Sequence, residues 1–311
     1  MRNKTYATRA ALALLAAVFA LTSCIREDLQ PCPPLSIHLG VADKNYDNID
    51  FIEEQTGLDH RLPEDLPFRQ YVPKLFYLLY DLDRQEAVTV RHLHDVQGDA
   101  PLATVYDIPQ DLPFGRYALL VWGNILSEDG ILADGRFNTY DLHRDHVEGY
   151  DLYMACDTLV YDEWNYDHTV NLHRVKGKLL VEGRNLPEHV CWSRKAVSNL
   201  SGNIDHTFAY DFEQPEYVVT ETDWSHRPAA TVVTDTYLAP TVPGDESTVY
   251  VRFFDSPDMQ EPVATPRNVN ITMRRNEITV LRYDYDPGTG EFIISILLND
   301  GWSVLHEMGI E

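Results

Sequence analysis

The sequence predicts an all-β protein, built as two β-sandwich domains in tandem behind a lipoprotein-type signal peptide. Short runs rich in Val, Ile, Tyr, Phe and Thr recur along the chain, as a pleated, half-buried surface requires. Turn-forming clusters separate them, among them Leu112-Pro113-Phe114-Gly115, Val242-Pro243-Gly244-Asp245 and Asp286-Pro287-Gly288-Thr289-Gly290. No long stretch carries a clean helical apolar period, which argues for a sandwich and against an α/β alternation.

Residues 1–23 read as the signal. Arg2, Lys4 and Arg9 form a positive start, and an apolar run rich in Ala and Leu follows over 10–21. That run falls short of the roughly 20 residues a bilayer-spanning helix needs. Leu21-Thr22-Ser23-Cys24 is similar to the bacterial lipobox, whose Cys is lipidated and becomes the first mature residue. Several acyl chains on Cys24 would give stable anchoring where one would not. Residues 24–34 are polar and then rich in proline (Pro31, Pro33, Pro34), a short extended tether. Residues 35–41 alternate apolar and polar as a half-buried strand does.

Further strands are expected at 74–81, 87–94, 103–108 and 115–122, completing a first domain over 35–165. The boundary is placed in Asp162-Glu163-Trp164-Asn165-Tyr166-Asp167. A second domain over 168–311 carries strands at 168–174, 178–184, 231–238, 247–254, 268–274, 277–284 and 291–298. A short helix is expected around 187–198. The final segment, 299–311, holds Trp302, Val304, Leu305, Met308 and Ile310 without a clear period of either kind.

Composition narrows the function. The formal charge is −24, and without residues 1–23 it becomes −27, from 22 basic against 49 acidic side chains. Such an excess repels phosphates, so no nucleic-acid partner is expected. Four cysteines occur, at 24, 32, 156 and 191. With Cys24 committed to lipid, one disulfide at most can close, and we assign it to Cys32 and Cys156, which share the first domain. A loop of that length corresponds to about 4–5 kcal/mol in the chain-entropy picture.

His92 and His94 would share one face of a strand, and His143, Asp145 and His146 form a second loose group. No third ligand is in register with the first pair, so they read as a solvated strand face and a polar loop, with no metal expected. Asp284 to Glu291 alternates oxygen donors but lacks a full calcium loop, and a hairpin turn explains it. No nucleophile elbow, zinc-protease helix, phosphate loop or Ser-x-x-Lys pair occurs, so neither enzyme activity nor a cofactor is expected.

Cys24, Glu27-Asp28-Leu29 and Cys32-Pro33 precede an alternating strand. Phe76-Tyr77-Leu78-Leu79-Tyr80-Asp81 forms a second, apolar strand ending on Asp, and Phe114-Gly115-Arg116-Tyr117 through Trp122-Gly123-Asn124 gives a Gly-x-Tyr…Trp-Gly strand. Val170-Asn171-Leu172-His173-Arg174-Val175-Lys176-Gly177-Lys178 opens the second domain. In this order these motifs resemble the FimB/Mfa2 family of fimbrial anchor lipoproteins of Bacteroidales. The resemblance implies two transthyretin-like β-sandwiches on the outer membrane. It further implies a role in cell adhesion at the base of a fimbria, with pilin subunits as partners bound by strand addition. The C-terminal part of the second domain is the expected contact. Asp157-Thr158-Leu159 also resembles the O-glycosylation site of Bacteroidetes secreted proteins, which points to Thr158. A surface glycan-binding lipoprotein of a nutrient-uptake system is the alternative, since five Trp and eighteen Tyr could supply stacking platforms. If Cys24 carries the anchor, Cys24→Ser shifts the protein from the detergent phase to the aqueous phase in membrane partitioning. Retention in the detergent phase contradicts the anchor.

Overall fold

The computed structural model describes residues 33–133 and 138–306. Cys24 and Cys32, and with them the lipid and disulfide expectations, lie outside the described residues. From Leu35 onward, the described residues form one compact unit.

The first half is a seven-stranded sheet in two limbs. In one limb, β1 (Ser36–Val41) pairs in parallel with β9 (Asp167–Arg174) and antiparallel with β4 (Ala103–Thr104). In the other, β2 (Lys74–Asp81), β3 (Glu86–Asp95), β5 (Gly115–Gly123) and β8 (Tyr153–Tyr161) run antiparallel in the order β3-β2-β5-β8. The limbs join through Tyr153↔Arg174 and Met154↔His173. Ile37, Leu39, Val170 and Leu172 of one limb share a buried cluster with Tyr77, Leu79, Leu119 and Val121 of the other.

β2 and β5 read as unbroken apolar runs because they are covered on both faces. Tyr77 and Leu119 face the first core, whereas Phe76, Leu78, Leu120 and Trp122 join a second cluster with Leu179, Val181, Phe253 and Tyr283. The two halves therefore share a core.

The second half is a sandwich. One sheet has the order β15-β10-β18-β19-β20, from β10 (Gly177–Arg184), β15 (Val232–Leu238), β18 (Ile278–Asp286), β19 (Glu291–Leu298) and β20 (Gly301–His306). The other has the order β14-β11-β16-β17, from β11 (Trp192–Leu200), β14 (Glu216–Asp223), β16 (Ser247–Phe254) and β17 (Val269–Ile271). As β1 does with β9, β10 opens its half by pairing in parallel with a later strand, β18. A small sheet links the halves: β6 (Ile131–Ala133) and β7 (Asn138–Asp141) meet β12 (Asn203–Ile204) and β13 (Tyr210–Asp211) through Tyr140↔Ile204.

Several sequence expectations change. The stretch expected to be helical is β11, whose inward positions are Ser193, Lys195 and Val197. A buried lysine hid the alternation. β8 was not expected because Cys156-Asp157-Thr158 interrupts its apolar pattern, and β14 was likewise missed. The strand expected at 268–274 is confined to Val269–Ile271. Segment 162–167 is a tight turn in which Asp162 Oδ1 accepts the N–H groups of Trp164 and Asn165, each at 2.8 Å. β9, expected to open the second domain, pairs with β1 and β8 of the first sheet, and the change of sheet comes at Val175-Lys176.

The segment after β1 crosses onto the other half. It contains α1 (Ile49–Thr56), closed by Gly57 at φ 70°. Ile49 and Ile52 pack on Leu180, Val280 and Leu297, covering the outer face of the β10-β18-β19 sheet. The Asn48 side chain does not cap α1 but exchanges two hydrogen bonds with the backbone of Ile278, at 2.8 and 2.9 Å.

Arg174, 1% exposed, sits where these elements meet. Its Nε donates to Asp151 at 2.9 Å, Nη1 to Asn276 Oδ1 at 2.5 Å, and Nη2 to the Tyr153 hydroxyl. Its backbone N–H and Arg275 Nη1 both donate to Asp43 Oδ2, at 2.9 and 2.8 Å. Burial opposes its charge, but Asp151, Tyr153 and Tyr46 raise its pKa, so the guanidinium stays ionised. Nearby, a Cβ on Gly177 would lie 2.2 Å from the Arg274 carbonyl oxygen, which admits only glycine. Arg174→Met leaves Asp151 and Asn276 short of their partner and is expected to cost about 3–5 kcal/mol in urea unfolding. A loss below about 1 kcal/mol would contradict this role.

Candidate functional site

The strand directions separate two poles. β1 begins at Ser36, paired with Asp167, and ends beside Asp43 at the Arg174 junction. The described chain thus enters the first half at the end away from the junction. In the second half, Lys178↔Ile278 and Val280↔Leu297 lie near the junction. β20 starts at Gly301, opposite Leu298, and runs away from it to His306, opposite Ile294.

β20 is the outermost strand of its sheet. Its inner edge pairs with β19, and among the described residues its outer edge has no strand partner. Asn299-Asp300 forms the turn, with Gly301 at φ 121°. Trp302 docks the strand: it packs toward the α1-covered face, and the Arg282 guanidinium lies 3.6 Å from its ring centroid. Val304 and Leu305 remain 48% and 42% exposed, and Leu298, opposite Gly301 at the start of the strand, 46%. A register shift between Ile294 and Ser295 leaves Leu305 unpaired, a bulge that twists the free edge. The first part of the tail therefore folds onto its own sheet yet leaves a half-apolar edge open. Residues 307–311, with Met308 and Ile310, lie outside the described residues.

The other residues singled out by sequence scatter. Thr158 is exposed on β8. Cys156 is half-buried against the shared core, and burial, then Asp157 and Asp205, push its thiol up to about 11. That suppresses thiolate chemistry at neutral pH. Cys191 is buried and donates to the Glu188 carbonyl at 3.7 Å. On β3, His92 is exposed and meets Glu128 at 2.8 Å, while His94 is half-buried and meets the His92 carbonyl. Asp286 caps the β18–β19 turn by accepting from Gly288 N–H at 2.8 Å.

His143 departs from the polar-loop expectation, being 1% exposed. Its Nε2 accepts the Ala239 N–H at 3.0 Å and its Nδ1–H donates to the Val147 carbonyl at 3.2 Å, which fixes a neutral tautomer. Burial, then Lys176, hold its pKa well below the usual imidazole range. Beside it, Lys176 donates to the carbonyls of Leu142 and Glu148 at the wall of a cavity of about 230 Å³. Sequence reasoning missed this buried pair because nothing in a local pattern marks a histidine or a lysine as inward-facing. Among the described residues, no three His, Cys, Asp or Glu side chains group as a metal site, and no helix is long and apolar enough to cross a membrane.

No family model matches the chain, and no curated protein matches it in sequence. Solved structures share its fold. A "putative adhesin" from Bacteroides thetaiotaomicron has a TM-score of 0.53 at 13% identity, over 90% of this chain and 100% of that one. A structure of "putative polysaccharide binding proteins" from the same species also scores 0.53, at 11% identity over 88% and 99%. The fimbrial anchor protein Mfa2 from Porphyromonas gingivalis is among the matches too, with 0.43 at 15% identity over 89% and 100%.

Burial pushes Lys176 from 10.5 down to about 7 and Lys195 down to about 8. The unfolded chain keeps these protons to higher pH, so between the two ranges it binds more of them and stability rises with pH. Unfolding free energy is expected to increase from about pH 7 to about pH 9 in urea titrations, and Lys176→Met to flatten the rise.

Proposed function

We propose that this protein is a non-enzymatic outer-membrane lipoprotein that anchors a fimbria. Lipid on Cys24 holds it at the membrane, and a pilin segment adds as a strand to the open edge of β20. The observation that carries the reading is that edge, unpaired on its outer side and bearing exposed Val304 and Leu305. It lies in the half opposite the end at which the described chain enters, so lipid and polymer contacts would not compete for one surface. Backbone hydrogen bonds would supply the strength of such a contact, and alternate side-chain positions its register.

The sequence resemblance to fimbrial anchor lipoproteins supports this reading, as does a fold shared with a protein described as a "putative adhesin". The exposure of Thr158 suits its proposed glycosylation, on the outside of the first half.

The test is the double variant Val304→Lys, Leu305→Lys. Both positions are exposed, so stability should move by no more than about 0.5 kcal/mol per site. Lysine on an edge strand blocks strand addition. Cells carrying the variant should release fimbriae into the medium while keeping the anchor at the surface. Fimbriae that stay bound would rule out this edge as the contact.

A further inference from the structure

Apart from the β20 edge, a cleft opens where the segment after β1 meets the second half. Its volume is about 300 Å³, roughly that of ten water molecules in the liquid, enough for one pyranose ring with its substituents. Leu62, Asp151 and Tyr237 also line an adjoining depression of about 450 Å³, whose rim carries the half-exposed Tyr150.

Lys178 is the informative side chain. It is 9% exposed, and its ammonium lies 4.8 Å from the Tyr237 ring centroid and 5.6 Å from that of Tyr46. Its ion pair, with Asp235, is 3.5 Å long, and Asp235 itself is half-exposed. The ammonium makes no hydrogen bond among the described residues, and the buried Tyr46 hydroxyl beside it has no partner there either. A recessed cation whose ion pair is long and half-exposed leaves room for an entering anion at hydrogen-bonding distance. The setting is unusual for a chain of charge −24: Lys44, His60 and Arg61 join Arg174 and Lys178 around this cleft, against Asp59 and Asp151. Burial, then Lys178, lower the pKa of His60, consistent with the ammonium lying close by.

We infer that this cleft binds a carboxylate-bearing sugar, its carboxylate on Lys178 and its C–H face against the rings of Tyr237 and Tyr150. Rings beside a cation match the two faces of a hexuronic acid, and Gln70 offers an amide to its hydroxyls. An acidic peptide fits less well. Glu148 already accepts the Tyr237 N–H at 3.1 Å, so the strand edge at that position offers no free donor.

Calorimetric titration of the purified protein with glucuronate, galacturonate, glucose and triglutamate tests the assignment. At least one sugar acid should saturate with a Kd of about 1 mM, the scale that ligand-efficiency bounds allow, and glucose should bind at least about tenfold more weakly. Lys178→Gln should remove the preference for the acid. Asp235→Asn should tighten acid binding about two- to fivefold by freeing the ammonium, an outcome a merely structural role would not produce. Tyr150→Ala should weaken it. Asp235 and Tyr150 are exposed, so these two variants decide the matter even if Lys178→Gln fails to fold. Failure of both sugar acids to bind, glucose binding as tightly, tighter binding of triglutamate, or indifference to Asp235→Asn would overturn the inference.

Discussion

The buried guanidinium of Arg174 is the constraint on which the rest of the architecture depends. It is the last residue of β9 and the point at which the chain leaves the first sheet. Its partners come from Asp43 after β1, Asp151 and Tyr153 at the start of β8, and Asn276 before β18. Four separate chain segments are thereby held in one register. A buried cation demands complete satisfaction of its donors, so these segments cannot slide independently. The direction of β1, the crossing of α1 onto the second half and the parallel pairing of β10 with β18 all converge on this point.

Apolar packing makes the same junction extensive. β2 and β5 are covered on both faces, one by their own sandwich and the other by a core shared with the second half. α1 extends the contact by placing Ile49 and Ile52 on the back of the second half's sheet. Each such buried aliphatic side chain contributes about 1.5–3 kcal/mol relative to exposure. The halves are therefore coupled by a continuous core in addition to the polar junction. For a protein proposed to bear load between a membrane and a polymer, force applied at β20 would pass through β19 and β18 to this junction and out along β1.

The arrangement also explains why the cleft beside Lys178 exists. The segment after β1 must arch over the junction to carry α1 across, and the arch leaves room beneath it. Lys178 follows Gly177, whose backbone is pressed against the Arg274 carbonyl, and is itself 9% exposed. The result is a cation held near two rings by the geometry of the crossing.

Local pattern alone was enough to read the all-β class, the alternating β1, the apolar strands β2 and β5 and the Asp286 hairpin, because side-chain period and turn chemistry are short-range properties. The acidic charge is likewise legible in one dimension. β8, β11 and β14 were not, since Asp157 and Thr158 face solvent and Lys195 faces the core, reversing the polarity on which pattern reading relies. The β20 edge lay in a tail with no legible period, because a bulge at Leu305 breaks the alternation and Trp302 is held by Arg282 from another strand. The pairing of β9 with β1, the junction at Arg174 and the burial of His143, Lys176 and Lys178 were decided only in three dimensions. Each depends on residues far apart in the chain, and no local sequence period encodes which distant segment will supply a buried charge with its partner.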